Sequence, residues 1–513
     1  VASTVRSGCA PLHQLVATQA AAALALLSAA RGGLTMILCA TAAAALLVIT
    51  WVRIRGLWAY QWLAAMTGFA TRRRTTRFHD LAVAAQLDDP GPVTLLDLPA
   101  LPPLRMLSDD QRLDLRLVLC GGPAPVDQAG APAISYRSLG PDVPLAHFRA
   151  VLAIRSNGLS GDDRRRAVKS LVRKLKATET VRPEADLDPG DALHESWSSV
   201  TAGGLTLATF RCRPEPGAVV SARLLTRLLH LPAAATTVAL TLSPVTVLVR
   251  IAAPEPAALE TAARALGDLL ASERFAAHRC DGEQLPALAA TLPLANRPPQ
   301  APFAAGLALP VIDHGLLLGH NRQGRAVLIR PFRAAPSRMV LVGSARCAQL
   351  IAFRSLGIGA RVVVRTNRPA AWATLRQAVD DESLALNPAG VPAGSQLRPT
   401  LLVGDDGTDI AEPAPWTTTL TVLDEADPDL AASADLLLLQ TLGPDEAALL
   451  DPVLDLGDGT AAALTEMPPD LVAIITNKAV RWAAPAPTFV EKVLIGHPAR
   501  HIALHQNKRQ ISI

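Results

Sequence analysis

Apolar and polar positions separate most sharply at the start of this chain. Between Ser7 and Val52 there is one formal charge, Arg31. The run LHQLVATQAAAALALLSAA is followed by the turn Arg31-Gly32-Gly33 and then by LTMILCATAAAALLVITWV. Two uncharged, helix-length segments around a tight turn predict a helical hairpin over 1–55. Each approaches the roughly 20 residues that a bilayer crossing needs, and backbone in hydrocarbon must bond within its own segment. The expectation is a transmembrane hairpin. Arg53, Arg55, Arg72, Arg73, Arg74 and Arg77 follow the second segment, against Arg31 in the turn and Arg6 before the first. Positive residues favour the cytoplasmic side. The expected placement is therefore the cell inner membrane, with two spans, both termini cytoplasmic and Arg31 outside. Two other readings stay open. One is a signal peptide cleaved near Ser28-Ala29-Ala30; the other is a hairpin buried in a core, although core helices of this length usually carry a polar face.

The next segment, 56–80, contains GLWAYQWLAAMTGFAT. Trp58, Trp62, Met66 and Phe69 or Ala70 recur at helical spacing. Trp and Tyr concentrate at headgroup depth, so Trp58, Tyr60 and Trp62, with Arg53, Arg55, Arg72, Arg73 and Arg74, form the expected membrane-interface set. An amphipathic helix packed on the following domain is the alternative.

Downstream, the period changes repeatedly. Residues 86–146 are rich in Pro, Gly and Asp, with strand-like runs at Val93–Leu98 and Leu113–Leu119. Phe148–Ile154 reads as a strand and Asp162–Lys176 as a basic helix, its acids first and its lysines last as the helix dipole favours. From 205 to 279 the order is strand, helix, strand, strand, helix, strand, with helices at Ala218–Leu231 and Pro256–Ser272. This is a split βαβ arrangement. A Pro-rich connector covers 292–312. Strands at Arg338–Val342, Arg361–Thr366, Thr400–Val403, Thr418–Leu423, Asp435–Gln440 and Asp470–Thr476 alternate with helices at Ala345–Leu356 and Pro369–Val379; Thr488–Val493 reads as a further strand. Such alternation predicts a doubly wound, mostly parallel sheet. The expected fold is α/β, with the hairpin, a first α/β domain over 81–291 and a second over 313–513.

Composition adds limits rather than an activity. The chain is 50% hydrophobic and 18% charged, with a net charge of +4. Roughly 430 residues beyond the hairpin can build two or three domains. Only six of its 49 basic residues are Lys, and the heavy Ala, Gly, Pro and Arg usage has the pattern of a high-GC coding sequence, as in actinobacteria. Much of the excess charge is the Arg cluster near the hairpin, which topology and anionic lipid explain; it argues weakly for nucleic acid. Cys9, Cys39, Cys120, Cys212, Cys280 and Cys347 are dispersed, with no CxxC, so neither a disulfide framework nor a zinc site is suggested.

Candidate chemistry is sparse. Val342-Gly343-Ser344-Ala345 forms a strand-to-helix turn of the kind that binds phosphates, but it lacks GxGxxG, and no GK[ST] occurs in the chain. Leu423-Asp424-Glu425-Ala426-Asp427 has the letters of a magnesium-binding acidic motif without a phosphate loop for it to serve. A solvated strand end is the plainer account. His497, His501 and His505 share a helical spacing that can bind metal, yet Pro498 interrupts it and no acid or Cys completes the set. No GxSxG or HExxH appears. The helix Arg164–Lys176 has too few aromatics for single-strand stacking. It reads as a solvated face, or as a contact for an acidic partner or headgroups.

Several stretches together resemble one family. These are the hairpin with its Arg- and Trp-rich sequel, the Trp197 segment leading into Leu205–Cys212, and Gly315-Leu316-Leu317-Leu318-Gly319 followed by Gly324-Arg325-Ala326-Val327. The unit from Arg338 to Thr366, with Gly359-Ala360-Arg361-Val362-Val363-Val364, continues the series. In this order, over about residues 15–495, the chain resembles EccE, a core membrane component of the mycobacterial type VII (ESX) secretion system. Residues 381–513 match least. The resemblance implies a structural component of the translocon rather than an enzyme, without cofactors or catalytic residues. It implies several copies in a large hetero-oligomer with EccB, the ATPase EccC and EccD, contact with membrane lipid, and no nucleic acid. The competing reading is a membrane-anchored nucleotide- or sugar-nucleotide-binding enzyme built on the second sheet.

Overall fold

The computed structural model describes residues 12–30, 33–54, 57–87, 93–98, 100–102, 113–123, 130–139, 144–156, 161–180, 191–242, 245–293, 309–333, 335–379, 382–396, 398–405, 414–455, 459–476 and 479–500. The chain opens with two helices packed side by side, Leu12–Ala30 and Leu34–Trp51. Gly33, at φ 76°, begins the second, and the Trp51 indole donates to Thr18 Oγ1 across the pair at 3.2 Å. The helical hairpin is present, but the expected spans are not. No helix among the described residues is long and apolar enough to cross a membrane. This overturns the placement in the inner membrane with two spans and both termini cytoplasmic. The helices have 19 and 18 residues. At about 1.5 Å rise per residue they reach about 28 and 27 Å, under the roughly 30 Å of a hydrocarbon core. The first also carries His13, Gln14, Thr18, Gln19 and Ser28 among its apolar residues. Arg6, Arg31 and Arg55, part of the set on which the direction depended, lie outside the described residues, as does Cys9.

A two-stranded ribbon, Arg53–Ile54 with Leu57–Trp58, leads into the helix Ala59–Thr71. Beyond it lies an eleven-stranded antiparallel sheet. Its organisation is a repeated pattern. The segment 205–279 contributes four strands in the spatial order Phe275–Arg279, Leu205–Pro214, Val245–Ala253, Ala235–Leu242. In chain order that is fourth, first, third, second, as the split βαβ reading requires. The same order recurs upstream as Thr178–Thr180, Val93–Leu98, His147–Ser156, Leu113–Gly122. The two quartets meet through their second strands, with Val238 opposite Leu119. Alternation fixes the register: Leu113, Leu115, Leu117 and Leu119 face a core shared with the helices Gly161–Leu175, Ala222–Leu229 and Pro256–Ser272. A one-residue slip would turn that whole set to the other face. There Val118 and Cys120 pack in smaller clusters, the latter under Phe78, Leu285 and Leu288.

The second sheet has eight strands. Six are parallel, in the order Leu384–Leu386, Arg361–Arg365, Thr400–Gly404, Thr417–Leu423, Ser337–Val342, Leu436–Leu439. Val472–Thr476 and Ala479–Ala483 extend it antiparallel. Ala345–Gly357 packs on one face, and Pro428–Ser433, Pro444–Leu454 and Thr460–Glu466 on the other. The molecule is thus a mixed α/β protein with antiparallel and parallel sheets. Two expected elements differ. Helix 218–231 contracts to Ala222–Leu229 because Ser221 Oγ accepts from Leu224 N and sets its start. The expected strand 488–493 is a helix, Phe489–Leu494, held open at its start by a Thr488–Glu491 capping box.

One buried polar group ties the two sheets, and a buried ion pair stands next to it. The helix Ala131–Arg137 lies early in the chain yet places Tyr136 in the core of the second sheet. The Tyr136 hydroxyl accepts from Leu317 N at 3.0 Å. Beside it Arg354, 1% exposed, meets Glu491, also 1% exposed, at 2.8 Å. The Arg354 guanidinium also donates to the carbonyls of Leu317, Leu318 and Ala486. Five donors thus find acceptors without water.

Candidate functional site

Three places merit comparison: the Trp/Arg helix, the crevice at the carboxyl ends of the parallel strands, and the cleft between the sheets.

The expected interface residues are turned largely toward protein. Trp62 meets Trp197 edge-on at 6.0 Å, and Phe69 meets the same ring at 5.3 Å. Gly282 lets that indole lie flat: a Cβ there would stand 2.8 Å from the Trp197 ring. Arg72 forms a fork with Glu195, whose side chain is fully buried, at 2.8 and 3.1 Å, and donates to Gly282 O. Arg74 stacks over Phe69 at 4.5 Å. Trp58 precedes the helix, with its N–H on Gln61 Oε1, and Gln61 Nε2 donates to the Tyr60 hydroxyl. Arg73 is exposed. Arg53 lies in the short ribbon. The structure therefore gathers Trp62, Arg72 and Arg74 into one docking contact on the first sheet.

The crevice is where an open α/β sheet binds its ligands. Here the chain fills it. Gln440 Oε1 accepts from Ser344 N at 2.7 Å, and a Cβ on Gly343 would meet the same oxygen at 2.7 Å. Gln440 Nε2 donates to Pro498 O. Arg500 donates to Asp424 O and Thr441 O and pairs with Glu446 at 2.8 Å. Burial alone would raise the Glu446 pKa, but hydrogen bonds from Arg500 and from the Gly443 and Ala426 amides hold it below the ordinary value. Asp427 caps the next helix through Asp429 N and Leu430 N. Asp424 is exposed, 3.5 Å from Arg368. The Ser344 amide that could cradle a phosphate is already engaged; Asp427 and Glu446 hold structural positions, while Asp424 and Glu425 are exposed. Among the described residues no cluster of His, Cys, Asp and Glu is placed to hold a metal; His501 and His505 lie outside them.

The third place was not legible beforehand. A cleft of about 1720 Å³ runs between the sheets. Its walls come from Asp97, Arg149, Lys176 and Glu179 on one side and, on the other, from the turn residues Asn321, Arg322, Gln323 and Arg325 with the strand Ala326–Ile329 that follows. Seven basic side chains among the described residues line it against four acidic ones. Two of the seven are paired, Arg149 with Asp97 at 3.3 Å and Arg333 with Asp435 at 2.6 Å. At its inner end lies a cavity of about 30 Å³, lined in part by Phe148, His314, Arg330, Gln396 and Trp416. The Phe148 and His314 rings meet at a tilt of 59°, their centres 5.3 Å apart. Arg149 lies 6.0 Å from the Trp416 ring. Burial, with Arg330 adding to it, pushes the His314 pKa down to about 4, so the ring is neutral at pH 7. Trp416 has φ 57°, a left-handed backbone. It is held there by Trp416 N–H on Arg333 O at 3.1 Å and by Thr400 N–H on Trp416 O at 3.0 Å. A bulky residue in that region is an outlier that the surroundings must enforce.

The fold and its sites define a class: a two-sheet α/β body with a self-filled strand-end crevice and an open basic cleft at the seam. No protein-family model matches the chain, and no curated protein matches it.

Proposed function

We propose that this chain is a non-enzymatic scaffold subunit of a type VII (ESX) secretion assembly, of the EccE kind, bracing EccB, the ATPase EccC and EccD in a multi-copy complex. The observation that carries this reading is the strand-end crevice. The place where a nucleotide or sugar-nucleotide enzyme of this architecture would hold its phosphates is occupied by Gln440 and Arg500. The hairpin adds support. Leu15, Val16, Leu26, Ile37, Leu38 and Val48 are all exposed on its two helices, an apolar surface of the kind that partner helices cover. The EccE-like order of motifs supplies the identity of those partners. The test is to purify the tagged full chain from its native cells in gentle detergent. Recovery of EccB, EccC and EccD is expected; their absence contradicts the assignment. Thermal stabilisation by a nucleotide, lost on Gly343→Ala or Asp424→Asn, would favour the enzyme instead.

A further inference from the structure

The inner end of the seam cleft contains a buried polar group that finds no partner among the described residues. Gln396 is 3% exposed, and neither its Oε1 nor its Nε2 has a hydrogen-bond partner among the described residues. Leaving a buried amide unsatisfied is unfavourable, and this one lines a cavity that shares Phe148, His314, Arg330, Phe332 and Trp416 with the larger cleft. Arg330 lines the same cavity and makes no hydrogen bond or ion pair among the described residues; burial lowers its pKa, Asp313 of the cleft acts on it as an opposite charge without a direct contact, and Arg481 adds like charge. Arg322 and Arg325 extend the basic wall outward.

We propose that this cleft binds an acidic segment of a partner polypeptide, one carboxylate of which enters the inner cavity and is held by Arg330 and the Gln396 amide. Three observations select that occupant. First, about 30 Å³ accommodates a group of carboxylate size, since a single water needs roughly 10–15 Å³ by the same measure. Second, the cleft is far larger than a free small carboxylate and carries an excess of cations, which favours an extended anionic chain. Third, Gln396 offers a donor and an acceptor together. A polypeptide satisfies both, the carboxylate taking the Nε2 proton and a backbone N–H donating to Oε1. A DNA backbone has no donor for Oε1. The aromatic walls, Phe148 and Trp416, receive the apolar side chains between the acids. This inference does not depend on the identity of the secretion partners.

The test uses the full chain and a short fluorescent peptide alternating Glu and Leu, followed by anisotropy. Saturable binding is expected, with the Gln–Leu counterpart about tenfold or more weaker, because charge-assisted hydrogen bonds are lost. Arg330→Gln should weaken the Glu peptide by about tenfold. Gln396→Leu should weaken it too, while raising the melting temperature, because the substitution removes an unsatisfied buried amide. A Gln396 that served only the fold would lower the melting temperature when replaced. The proposal is overturned if both variants bind like the unaltered chain, if the Gln peptide binds equally well, or if single-stranded DNA or glutarate displaces the Glu peptide at equal concentration.

Discussion

Replacing Glu491 by Gln should loosen the core of the second sheet, where the helices Ala345–Gly357 and Phe489–Leu494 meet the strand Leu316–His320, more than any surface change. The substitution keeps the volume of the side chain and removes its charge. Arg354 then remains 1% exposed, still facing the carbonyls of Leu317, Leu318 and Ala486, but without a counter-charge. The carboxylate now takes two of its N–H groups, at 2.8 and 2.9 Å. Breaking one side of a buried pair typically costs about 3–5 kcal/mol. Retained carbonyl contacts place Glu491→Gln near the lower end, about 3 kcal/mol. Arg354→Met leaves a buried carboxylate that still accepts from Thr488 N at 2.8 Å, and should cost a similar amount. The double variant Arg354→Met/Glu491→Met should be less destabilised than the two singles summed, by about 2 kcal/mol or more, because it leaves neither charge orphaned. Urea unfolding followed by circular dichroism gives the three values. Single variants within about 0.5 kcal/mol of the unaltered chain, or strict additivity, would refute the claim that this pair holds the two helices and the strand Leu316–His320 together.

Other expectations follow from the same geometry. Arg72→Ala should destabilise by about 2–4 kcal/mol, because Glu195 is left buried; Arg74→Ala, which removes only an exposed cation over Phe69, should cost about 0.5–1 kcal/mol. Paired denaturation curves separate the two, and equal losses would contradict the docking role of Arg72. The lowered His314 pKa means the unfolded chain binds the extra proton first. This contribution to stability is full above pH 6.5 and is lost as pH falls toward 4. His314→Gln should flatten that part of the melting-temperature profile, and an unchanged slope would count against a neutral ring. Burial pushes the Cys212 and Cys347 thiols up to about 12 and Cys280 to about 11. In the native protein at pH 8, a maleimide should label the half-buried Cys39 well before these three, as peptide mapping can determine. Rapid labelling of Cys347 would show that the second core is open.

The alternation in 205–279 made the split βαβ unit legible, because period-two burial and helix stripes are local signals. The mate over 93–180 was not, since it shares no visible repeat with 205–279 and its strands are recognised as a quartet only by pairing. The cytoplasmic-side argument failed for a physical reason. Arg counting orients a span only when a span exists, and these helices stop at 19 and 18 residues. Trp62 and Arg72 gave a true signal of an amphipathic helix, but the surface they meet is Trp197 and Glu195, more than a hundred positions away. The seam was hidden for the same reason. Gln396, Arg330 and His314 are unremarkable in sequence, and only the folded chain brings them together. The Thr488–Glu491 capping box, by contrast, is a local signal that strand-like residues Phe489 and Val490 obscured.

The most direct test of the scaffold account is site-specific photo-crosslinking from the hairpin in intact cells. A photoreactive residue at Leu26, Ile37 or Val48, each exposed, should form adducts with EccB, EccC or EccD, whereas the same probe at Ala43, 6% exposed inside the pair, should not. Adducts only with a second copy of this chain, or none from any of the three exposed positions, would contradict it.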